Sequence, residues 1–415
     1  MKDKDKNIRG CSKGMLIHFY LDSPFPSGMA AAKRLLCYIK GLKAAGDEIN
    51  VIICNKVFER GKDDGMPRKG LYRGTPYCYV SGKHKPPKWN KLMRGLDWIV
   101  IDPIRTFFYS LRHLHRGDIV YVYLYPLFLQ FLILLAARIK GAVTIKETCE
   151  HPSSLRMNSR MRSLEDWVEF RLLMPRYDGF IAISSSLEDF VNRYRKPSAQ
   201  VIRIPILVDP EPYEIDFSPM QSPFPVPYII HTGTMLEQKD SISKILQAFH
   251  RLRQTCPSPC KLVFTGRQSD PQSCKYRKQI EQLGLAEDVV LMGYVSDEEI
   301  LRLQHFAAFS IIYKSDNLQT RNCFPTKLGE MLMSQVPVIT TTVGETRQYL
   351  ESDISAYLFD ENDEAQLVGF MQEILTDPQA AKHIAERGQA VAQTAFNPIV
   401  QGERLSKFIH HLSHC

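Results

Sequence analysis

A lysine and a glutamate stand three residues apart in the segment PTKLGE, just before a short apolar run. Thr326 is a good N-cap residue, so the sequence predicts a helix that begins near Lys327. The first N–H groups of a helix are unpaired and carry roughly half a positive elementary charge, which favours a phosphate at that end. Glu330 lies one turn further on the same face, where its carboxylate can accept hydrogen bonds from two ribose hydroxyls. The spacing therefore indicates a nucleotide-diphosphate site; the alternative is a surface ion pair between Lys327 and Glu330.

A second group of candidate residues follows predicted strands in the same half of the chain. Gly233 ends the apolar run YIIHTG, and a glycine at the end of a strand lets a ligand approach the backbone. Lys239 precedes the next helical segment, from which its ammonium group can reach a diphosphate. Arg267 follows the next strand, KLVFTG, at the corresponding position. Such residues are also typical of solvated loops, so the elements that position them decide between the two interpretations.

Buried strands alternate with helices in both halves of the chain. Apolar runs of strand length separated by helical patterns are typical of a parallel sheet covered on both faces. The predicted strands are 14–21, 49–54, 118–125, 142–148 and 178–184 in the first half and 228–233, 261–266, 289–295, 308–313 and 336–341 in the second. The sequence therefore predicts an α/β protein with two Rossmann-like domains that face a central cleft. Ligands of such sheets bind at the carboxyl ends of the strands, so the site is expected in that cleft.

A proline-rich segment, 211–227, is the predicted linker between the two domains. The first domain is expected at 1–210 and the second at 228–395, followed by a C-terminal helix at 396–415 that packs back on the first domain. Residues 1–210 contain 35 Lys and Arg against 20 Asp and Glu, whereas residues 211–415 contain 18 against 25. The basic first half favours an anionic ligand or surface. A merely solvated basic surface is the alternative.

The composition is that of a globular chain, because 44% of its 415 residues are apolar and 24% are charged. This length exceeds what a single core usually holds. The charged N-terminus does not resemble a signal peptide, so the ten scattered cysteines are expected to be reduced and the protein cytoplasmic. Cys256 and Cys260 lack a second pair at zinc spacing, so no metal site is expected there.

Two segments bear on a membrane. Residues 119–139 are almost entirely apolar, but Pro126 divides them into a strand pattern and a helix pattern, which predicts no membrane span. Residues 84–117 mix Trp, Phe and Tyr with many Lys and Arg, which is typical of a surface that lies against lipid headgroups. A core-facing helix pair with a basic outer face is the alternative. We expect a peripheral position on the inner face of the cell membrane.

The order of these motifs resembles that of GT-B-fold glycosyltransferases of glycosyltransferase family 4. The matching segments of the second half are GTMLEQK, LVFTG, VVLMGYV and NCFPTKLGE, the last followed by VPVITT. In the first half, SGMAAAKRLLCYIKGLKAAGDEINVII resembles the family's glycine loop, helix and second strand. The Phe-Pro-Thr-Lys motif resembles a bacterial, polysaccharide-type branch of the family. The resemblance covers nearly the whole chain and implies an acceptor domain followed by a donor domain.

The resemblance implies a role for each residue that matches a family motif. Glu330 would hold the ribose, while Lys239, Thr326 and the backbone near Pro325 would hold the diphosphate. The donor-binding residues implied in this way are Gly28, Gly233, Thr234, Lys239, Arg267, Tyr294, Val295, Asn322, Phe324, Pro325, Thr326, Lys327 and Glu330.

Tyr294 and Val295 would lie beside the base, and Asn322 and Phe324 would face the donor sugar. Two of the donor-binding positions depart from the family pattern. The family usually has a glutamate where this chain has Asn322, and an amide can still contact sugar hydroxyls with an altered preference. Thr234 stands where the family often has an arginine, which leaves the lysines to neutralise the phosphate.

The first half is expected to supply a residue near the reacting sugar. Its glycine loop has one glycine, Gly28, where the family commonly has two. The segment TIKETCEHP, 144–152, falls at the end of a predicted strand and offers Glu147, Glu150 and His151. The family branch often has Glu-x-Pro there, so Glu150 is the expected functional residue and His151 a spacer.

The resemblance implies a retaining, hexosyltransferase-type enzyme that needs no metal or other cofactor. It would move a sugar from a UDP- or GDP-linked donor to a lipid-linked glycan, in the synthesis of a cell-surface polysaccharide such as lipopolysaccharide or capsule. Its expected catalytic residues are Lys239, Glu330 and Glu150. A sugar-nucleotide epimerase or hydrolase of the same fold and a non-catalytic glycosyltransferase-like subunit are the alternatives. A nucleic-acid partner is not expected, because no nucleic-acid-binding motif is present.

Overall fold

The computed structural model describes residues 14–28, 30–124, 126–155, 160–256, 258–266 and 270–414. Within them the chain forms two sheets with helices on both faces. The sheets define an N-terminal lobe, which comprises residues 14–210 and the last helix, and a C-terminal lobe, residues 228–395. The predicted α/β class with two facing Rossmann-like sheets is confirmed. The borders of the domains, including a linker at 211–227, stay a prediction.

The described part of the N-terminal lobe holds an eight-stranded sheet in the order β3-β4-β2-β1-β5-β6-β7-β8. All neighbouring strands are parallel except β3 and β4, which are antiparallel. Its strands are β1 (Leu16–Leu21), β2 (Glu48–Ile53), β3 (Lys69–Tyr72), β4 (Thr75–Tyr79), β5 (Ile119–Tyr123), β6 (Val143–Thr148), β7 (Gly179–Ala182) and β8 (Gln200–Arg203). Its helices are α1 (Ala30–Ala44), α2 (Lys91–Leu96), α3 (Asp102–His113), α4 (Leu127–Lys140), α5 (Pro152–Leu155), α6 (Arg162–Trp167) and α7 (Ser185–Tyr194).

The described part of the C-terminal lobe holds a six-stranded, fully parallel sheet in the order β11-β10-β9-β12-β13-β14. Its strands are β9 (Tyr228–Thr232), β10 (Lys261–Thr265), β11 (Val289–Gly293), β12 (Phe309–Ile312), β13 (Val338–Thr341) and β14 (Tyr357–Phe359). Its helices are α8 (Glu237–Asp240), α9 (Ile242–Thr255), α10 (Asp270–Gln282), α11 (Asp297–His305), α12 (Leu318–Asn322), α13 (Thr326–Met333), α14 (Thr346–Tyr349), α15 (Glu364–Thr376) and α16 (Pro378–Ala395).

The last helix, α17 (Pro398–His414), returns to the N-terminal lobe and packs on α1. The two helices approach closely because a glycine stands on each. A Cβ on Gly41 would lie 2.0 Å from the carbonyl oxygen of Pro398, and one on Gly402 would lie 2.4 Å from Gly41. The C-terminus of the chain is thereby tied to the N-terminal lobe.

The predicted strands reappear within two residues of their expected ends because each is a buried apolar run. The structure adds four short strands that the sequence does not predict: β3, β4, β8 and β14. The residues of β3 and β8 are half-buried or exposed. Residues 119–139 divide at Pro126 into β5 and α4, and α4 ends at Gly141 in the left-handed conformation. Across the residues that the structure describes, no helix has the length and apolarity to cross a membrane.

Candidate functional site

The carboxyl ends of both sheets face one cleft. Polar side chains that follow strands of one lobe contact side chains of the other lobe across it. Pairs that join the lobes include Lys239–Glu150, Lys33–Glu330, Lys33–Asp297, Ser186–Asn322 and Ser185–Glu345. The cleft is therefore the location where residues from both halves of the chain meet.

Lys239 lies on α8, the short helix that follows β9, and points across the cleft. Its Nζ lies 3.2 Å from Oε1 of Glu150, which follows β6 in the N-terminal lobe. Burial lowers the pKa of Lys239, but the carboxylate of Glu150 and other nearby acidic groups together outweigh burial and raise the pKa overall. The lysine therefore stays charged, as a diphosphate site requires.

Glu330 lies on the first turns of α13 and is held by two lysines. Its Oε2 lies 2.8 Å from Nζ of Lys327 on the same helix, and its Oε1 lies 3.4 Å from Nζ of Lys33 on α1 of the other lobe. The side chain of Glu330 is 14% exposed, so it is accessible from the cleft without being fully solvated. The ion pair between Lys327 and Glu330 that the sequence offers as an alternative is thus present, and it lies inside the cleft.

Helix α13 begins at Thr326, one residue earlier than the sequence predicts, and Pro325 is its N-cap. The sequence predicts Thr326 as the N-cap residue, but no side chain caps this helix. Proline supplies a fixed φ of −64° there, which suits the start of a helix. The first N–H groups of α13 have no intrahelical partner, so the helix end can bind an anion.

The floor of the site is a buried polar cluster beneath Gly233. Asp240 pairs with Lys314, which follows β12, and its Oδ2 accepts a 3.4 Å hydrogen bond from the hydroxyl of Thr234. Burial raises the pKa of Asp240, but Lys314 outweighs burial, so the pKa is lowered overall. His231 is also buried, and burial lowers the pKa of its imidazole. The cluster fixes α8 beside the end of β9.

Two glycines bring neighbouring strand ends together at this floor. Gly266 has φ +131°, and a Cβ there would lie 1.6 Å from the carbonyl oxygen of Gly233. A side chain at position 266 is therefore incompatible with the observed approach of the two loops. Arg267, the next residue, lies outside the described residues, so its predicted role stays a prediction.

Asn322 is used between the lobes. Its Oδ1 accepts a 2.8 Å hydrogen bond from the hydroxyl of Ser186, and its Nδ2 donates to the carbonyl oxygen of Leu318 at 2.7 Å. The hydroxyl of Ser184 donates to the backbone oxygen of Asn322 at 2.8 Å. Both ends of the amide are occupied, so contact with a donor sugar would require one of these bonds to break.

The neighbouring Phe324 is buried, and its ring packs against Tyr349 and Phe396. Its side chain therefore belongs to the core, and only its backbone can contact a ligand in the cleft. The expectation that Phe324 faces the donor sugar does not hold for its ring in this structure. Pro325 is likewise buried.

The remaining donor-binding candidates lie in loops that follow strands of the two sheets. Tyr294 follows β11 and is 78% exposed, while Val295 is half-buried. Gly28 lies between β1 and α1, where a Cβ would come within 2.6 Å of the Cβ of Ala32. Thr234 follows β9 and is half-buried.

The three candidates of the segment 144–152 have different surroundings. Glu147 is buried and pairs with Nε of Arg34 at 2.9 Å, and its other oxygen accepts from Tyr121 at 2.6 Å. The ring of His151 packs against Phe190 at 4.4 Å. Of the three, Glu150 is the one whose carboxylate reaches the other lobe.

Three groups in the cleft are absent from the sequence-level candidates. Lys33 and Glu345 contact the opposite lobe, and Lys314 pairs beneath the site. Glu345 accepts a 2.6 Å hydrogen bond from the backbone N–H of Ser185, at the start of α7. Lys314 follows a predicted strand, as Lys239 does, so its position in the sequence could have identified it as a candidate. The sequence around Lys33 and Glu345 contains no such feature.

Comparison with known proteins agrees with this geometry. The family description "Glycosyl transferases group 1" matches residues 217–391. Sucrose-phosphate synthase of Thermosynechococcus elongatus superposes with a TM-score of 0.72 at 15% identity, covering 96% of this chain and 99% of that one. Anabaena HepE in complex with UDP-glucose gives 0.70 at 15% identity over 96% and 100%. The lipopolysaccharide outer core galactosyltransferase WaaB gives 0.63 at 12% identity over 95% and 99%. No curated protein sequence matches the chain.

The family match covers the lobe that carries Lys239 and Glu330, and the solved structures share the two-sheet fold over nearly the whole chain. The C-terminal lobe therefore matches the group 1 glycosyltransferases, glycosyltransferase family 4, and the whole chain shares the GT-B fold of the solved structures.

Proposed function

We propose that this enzyme transfers a hexose from a UDP-linked donor, with retention, to a lipid-linked glycan at a membrane surface. One observation carries the proposal. Lys239 and Glu330, the groups suited to a diphosphate and a ribose, lie in the same cleft at the carboxyl ends of the C-terminal sheet, and each faces the other lobe. A donor bound between them would present its sugar to the N-terminal lobe.

The chemical work is stabilisation of the leaving diphosphate. As the bond to the sugar breaks, negative charge grows on the phosphate oxygens, and preorganised positive groups in a partly dry cleft stabilise that charge strongly. Lys239, Lys327 and the amino end of α13 supply these groups. Closure of the lobes over the donor would exclude water and limit hydrolysis.

The rest of the donor site follows from the same arrangement. Glu330 would accept hydrogen bonds from the ribose hydroxyls while its carboxylate is held in place by Lys327. Tyr294 and Val295, at the end of β11, would lie beside the base. Asn322, whose amide is engaged by Ser186, would act on the sugar only after rearrangement.

A UDP-linked donor is supported by relatives of the same fold. HepE is solved with UDP and with UDP-glucose, and a trehalose-phosphate synthase of Burkholderia vietnamiensis, with a TM-score of 0.68, is described as UDP-forming. The name of WaaB, a lipopolysaccharide outer core galactosyltransferase, supports a lipid-linked glycan as acceptor. The pathway we propose is cell-surface polysaccharide synthesis.

The proposal is tested by following donor and acceptor together. The protein is incubated with UDP-linked and GDP-linked hexoses carrying a labelled sugar, with and without a bacterial lipid-linked glycan fraction. We expect release of UDP that depends on the lipid fraction, with label appearing in lipid. Release without lipid would indicate a hydrolase, interconversion of the donor an epimerase, and binding without turnover a non-catalytic subunit.

The surface that would meet the membrane is formed by α2, a π-helical turn at Asp97–Ile101 and α3, which run continuously. It exposes large apolar side chains, and α3 packs on α4, which exposes more. The exposed apolar residues are Trp89, Leu92, Leu96, Trp98, Ile99, Ile104 and Phe108, with Phe128, Phe131, Leu135 and Ile139 on α4. Exposed basic residues interleave with them, namely Lys88, Lys91, Arg105 and Arg112. Aromatic and basic groups on one face are typical of a helix lying in a membrane interface.

We expect the double variant Trp89→Ser, Leu92→Ser to bind vesicles containing anionic phospholipid at least about tenfold more weakly than the wild type. Trp89 and Leu92 are each 82% exposed, and a large apolar side chain contributes about 1.5–3 kcal/mol when it leaves water. Co-sedimentation measures the partition. The control, Ile215→Ser with Ile354→Ser, removes exposed apolar groups elsewhere and should leave binding unchanged; equal loss in both would contradict the assignment.

A further inference from the structure

Two of the charged groups proposed to hold the nucleotide, Lys239 and Glu330, are paired with an opposite charge from the other lobe. Lys239 is held by Glu150 at 3.2 Å, and Glu330 is held by Lys33 at 3.4 Å. These pairs reverse the usual pattern, in which an ion pair joins neighbours on one element. Glu150 and Lys33 thus place charged groups where the proposed donor would bind.

The pair with Glu150 is specific on both sides. Among the described residues, Glu150 is the partner of the Lys239 ammonium group, and Lys239 is the partner of the Glu150 carboxylate. The adjacent carboxylate, Asp240, is committed to Lys314 beneath the site. Lys239 is therefore paired across the cleft with Glu150 and not with the carboxylate next to it in the chain.

A carboxylate and a diphosphate are alternatives for the same lysine. Both are anions with oxygen acceptors, and a phosphate oxygen at hydrogen-bonding distance from Nζ would occupy the side on which Glu150 now lies. The two anions would also repel each other if both stayed in place. This repulsion favours the departure of Glu150 from Lys239 when the donor binds.

We propose that Glu150 is a placeholder for the donor diphosphate: it holds Lys239 while the site is empty and is displaced when the diphosphate binds. This inference rests on the proposed function, and it adds a competition that the function does not require. The displaced carboxylate belongs to the acceptor side of the cleft. Once displaced, it can accept a hydrogen bond from an acceptor hydroxyl through either oxygen.

The competition must be modest, because the pair is partly solvated. The side chains of Lys239 and Glu150 are 31% and 24% exposed, and exposed ion pairs typically contribute about 0.2–1 kcal/mol. Removing the carboxylate should therefore tighten diphosphate binding by about 1.5- to 5-fold, since about 1.4 kcal/mol corresponds to tenfold. A ligand without phosphate should gain nothing.

The test is calorimetric titration of the full-length protein with UDP and with uridine, at low ionic strength. We expect Glu150→Gln to bind UDP about 1.5- to 5-fold more tightly than wild type and uridine with unchanged affinity. Glu150→Ala, which lacks an amide that could donate to phosphate, should show the same selective gain. The matched control is Asp288→Asn, which removes a pair with Arg253 of similar exposure, 30% and 24%, at the opposite end of the C-terminal sheet.

Three outcomes would overturn the placeholder role. These are unchanged or weaker UDP binding by both Glu150 variants, an equal gain for uridine, and an equal gain in the Asp288 control. Failure of the wild-type protein to bind UDP is a different result, because it removes the proposed donor itself. Thermal unfolding of each variant confirms that the comparison is made between folded proteins.

Discussion

Replacing Lys239 with methionine should lower the rate of sugar transfer by about 100- to 1,000-fold. A single preorganised donor aimed at developing charge contributes roughly that factor to catalysis. Burial lowers the pKa of Lys239, but Glu150 and other nearby acidic groups raise it overall, so the lysine is cationic at neutral pH. Methionine keeps the length of the side chain and removes only the ammonium group. The measurement is the steady-state rate of UDP release in the presence of acceptor.

The fold should survive this change. Lys239 lies on a four-residue helix and is 31% exposed, so the lost ion pair costs at most about 1 kcal/mol. The matched control is Lys196→Met, which removes an ion pair with Asp178 of similar exposure, 33% and 37%, in the N-terminal lobe. We expect the control to keep wild-type transfer. Full activity of Lys239→Met would remove this lysine from the diphosphate site.

Replacing Glu330 with glutamine should lower kcat/KM for the nucleotide sugar by about 10- to 100-fold. Hydrogen bonds to a charged acceptor contribute about 1.5–3 kcal/mol, compared with about half that for neutral pairs. The amide can accept through one atom only, whereas the carboxylate accepts through both. The variant also leaves Lys327 and Lys33 without their shared counter-charge, which weakens the closed arrangement of the lobes.

The nucleotide itself provides the control for this prediction. Wild-type enzyme should bind UDP more tightly than 2′,3′-dideoxy-UDP, which lacks both ribose hydroxyls. Glu330→Gln should reduce or abolish that difference, because the group that reads the hydroxyls is gone. If the variant kept the full preference for UDP, Glu330 would not be the ribose ligand.

The fold was predictable because its strands are buried. Runs such as GMLIHFYL and YIIHTG are apolar throughout, and β1 and β9 are buried along almost their whole length. The short strands β3 and β4 were missed because KGLY and TPYCY are mixed in polarity and pair at an edge. Edge strands carry little periodic signal, so their positions depend on tertiary contacts.

Residues of the site were predictable from local patterns, but their contacts across the cleft were not. Local patterns place Lys239 after a strand and Glu330 on the first turns of a helix, and the structure brings both to one cleft. Their partners are 89 and 297 residues away in the chain, so no local pattern could reveal Glu150 or Lys33 as contacts. Such pairs exist only because two separate sheets face each other.

Residues that are neighbours in the sequence have different surroundings in the structure. Glu147 and Glu150 are three residues apart, yet one is paired with Arg34 in the core and the other reaches Lys239. Phe324 stands two residues from Asn322, but its ring packs on Phe396 from the chain's C-terminal region. Which of two neighbouring residues turns inward depends on partners supplied by distant elements, and that information is absent from the local segment.

The most direct measurement of the central claim is a crystal structure of the protein with UDP. The account predicts diphosphate oxygens within hydrogen-bonding distance of Nζ of Lys239 and at the amino end of α13, with the ribose hydroxyls on Glu330. UDP bound outside the cleft, or bound there with Lys239 still held by Glu150 and Glu330 still held by Lys33, would contradict it.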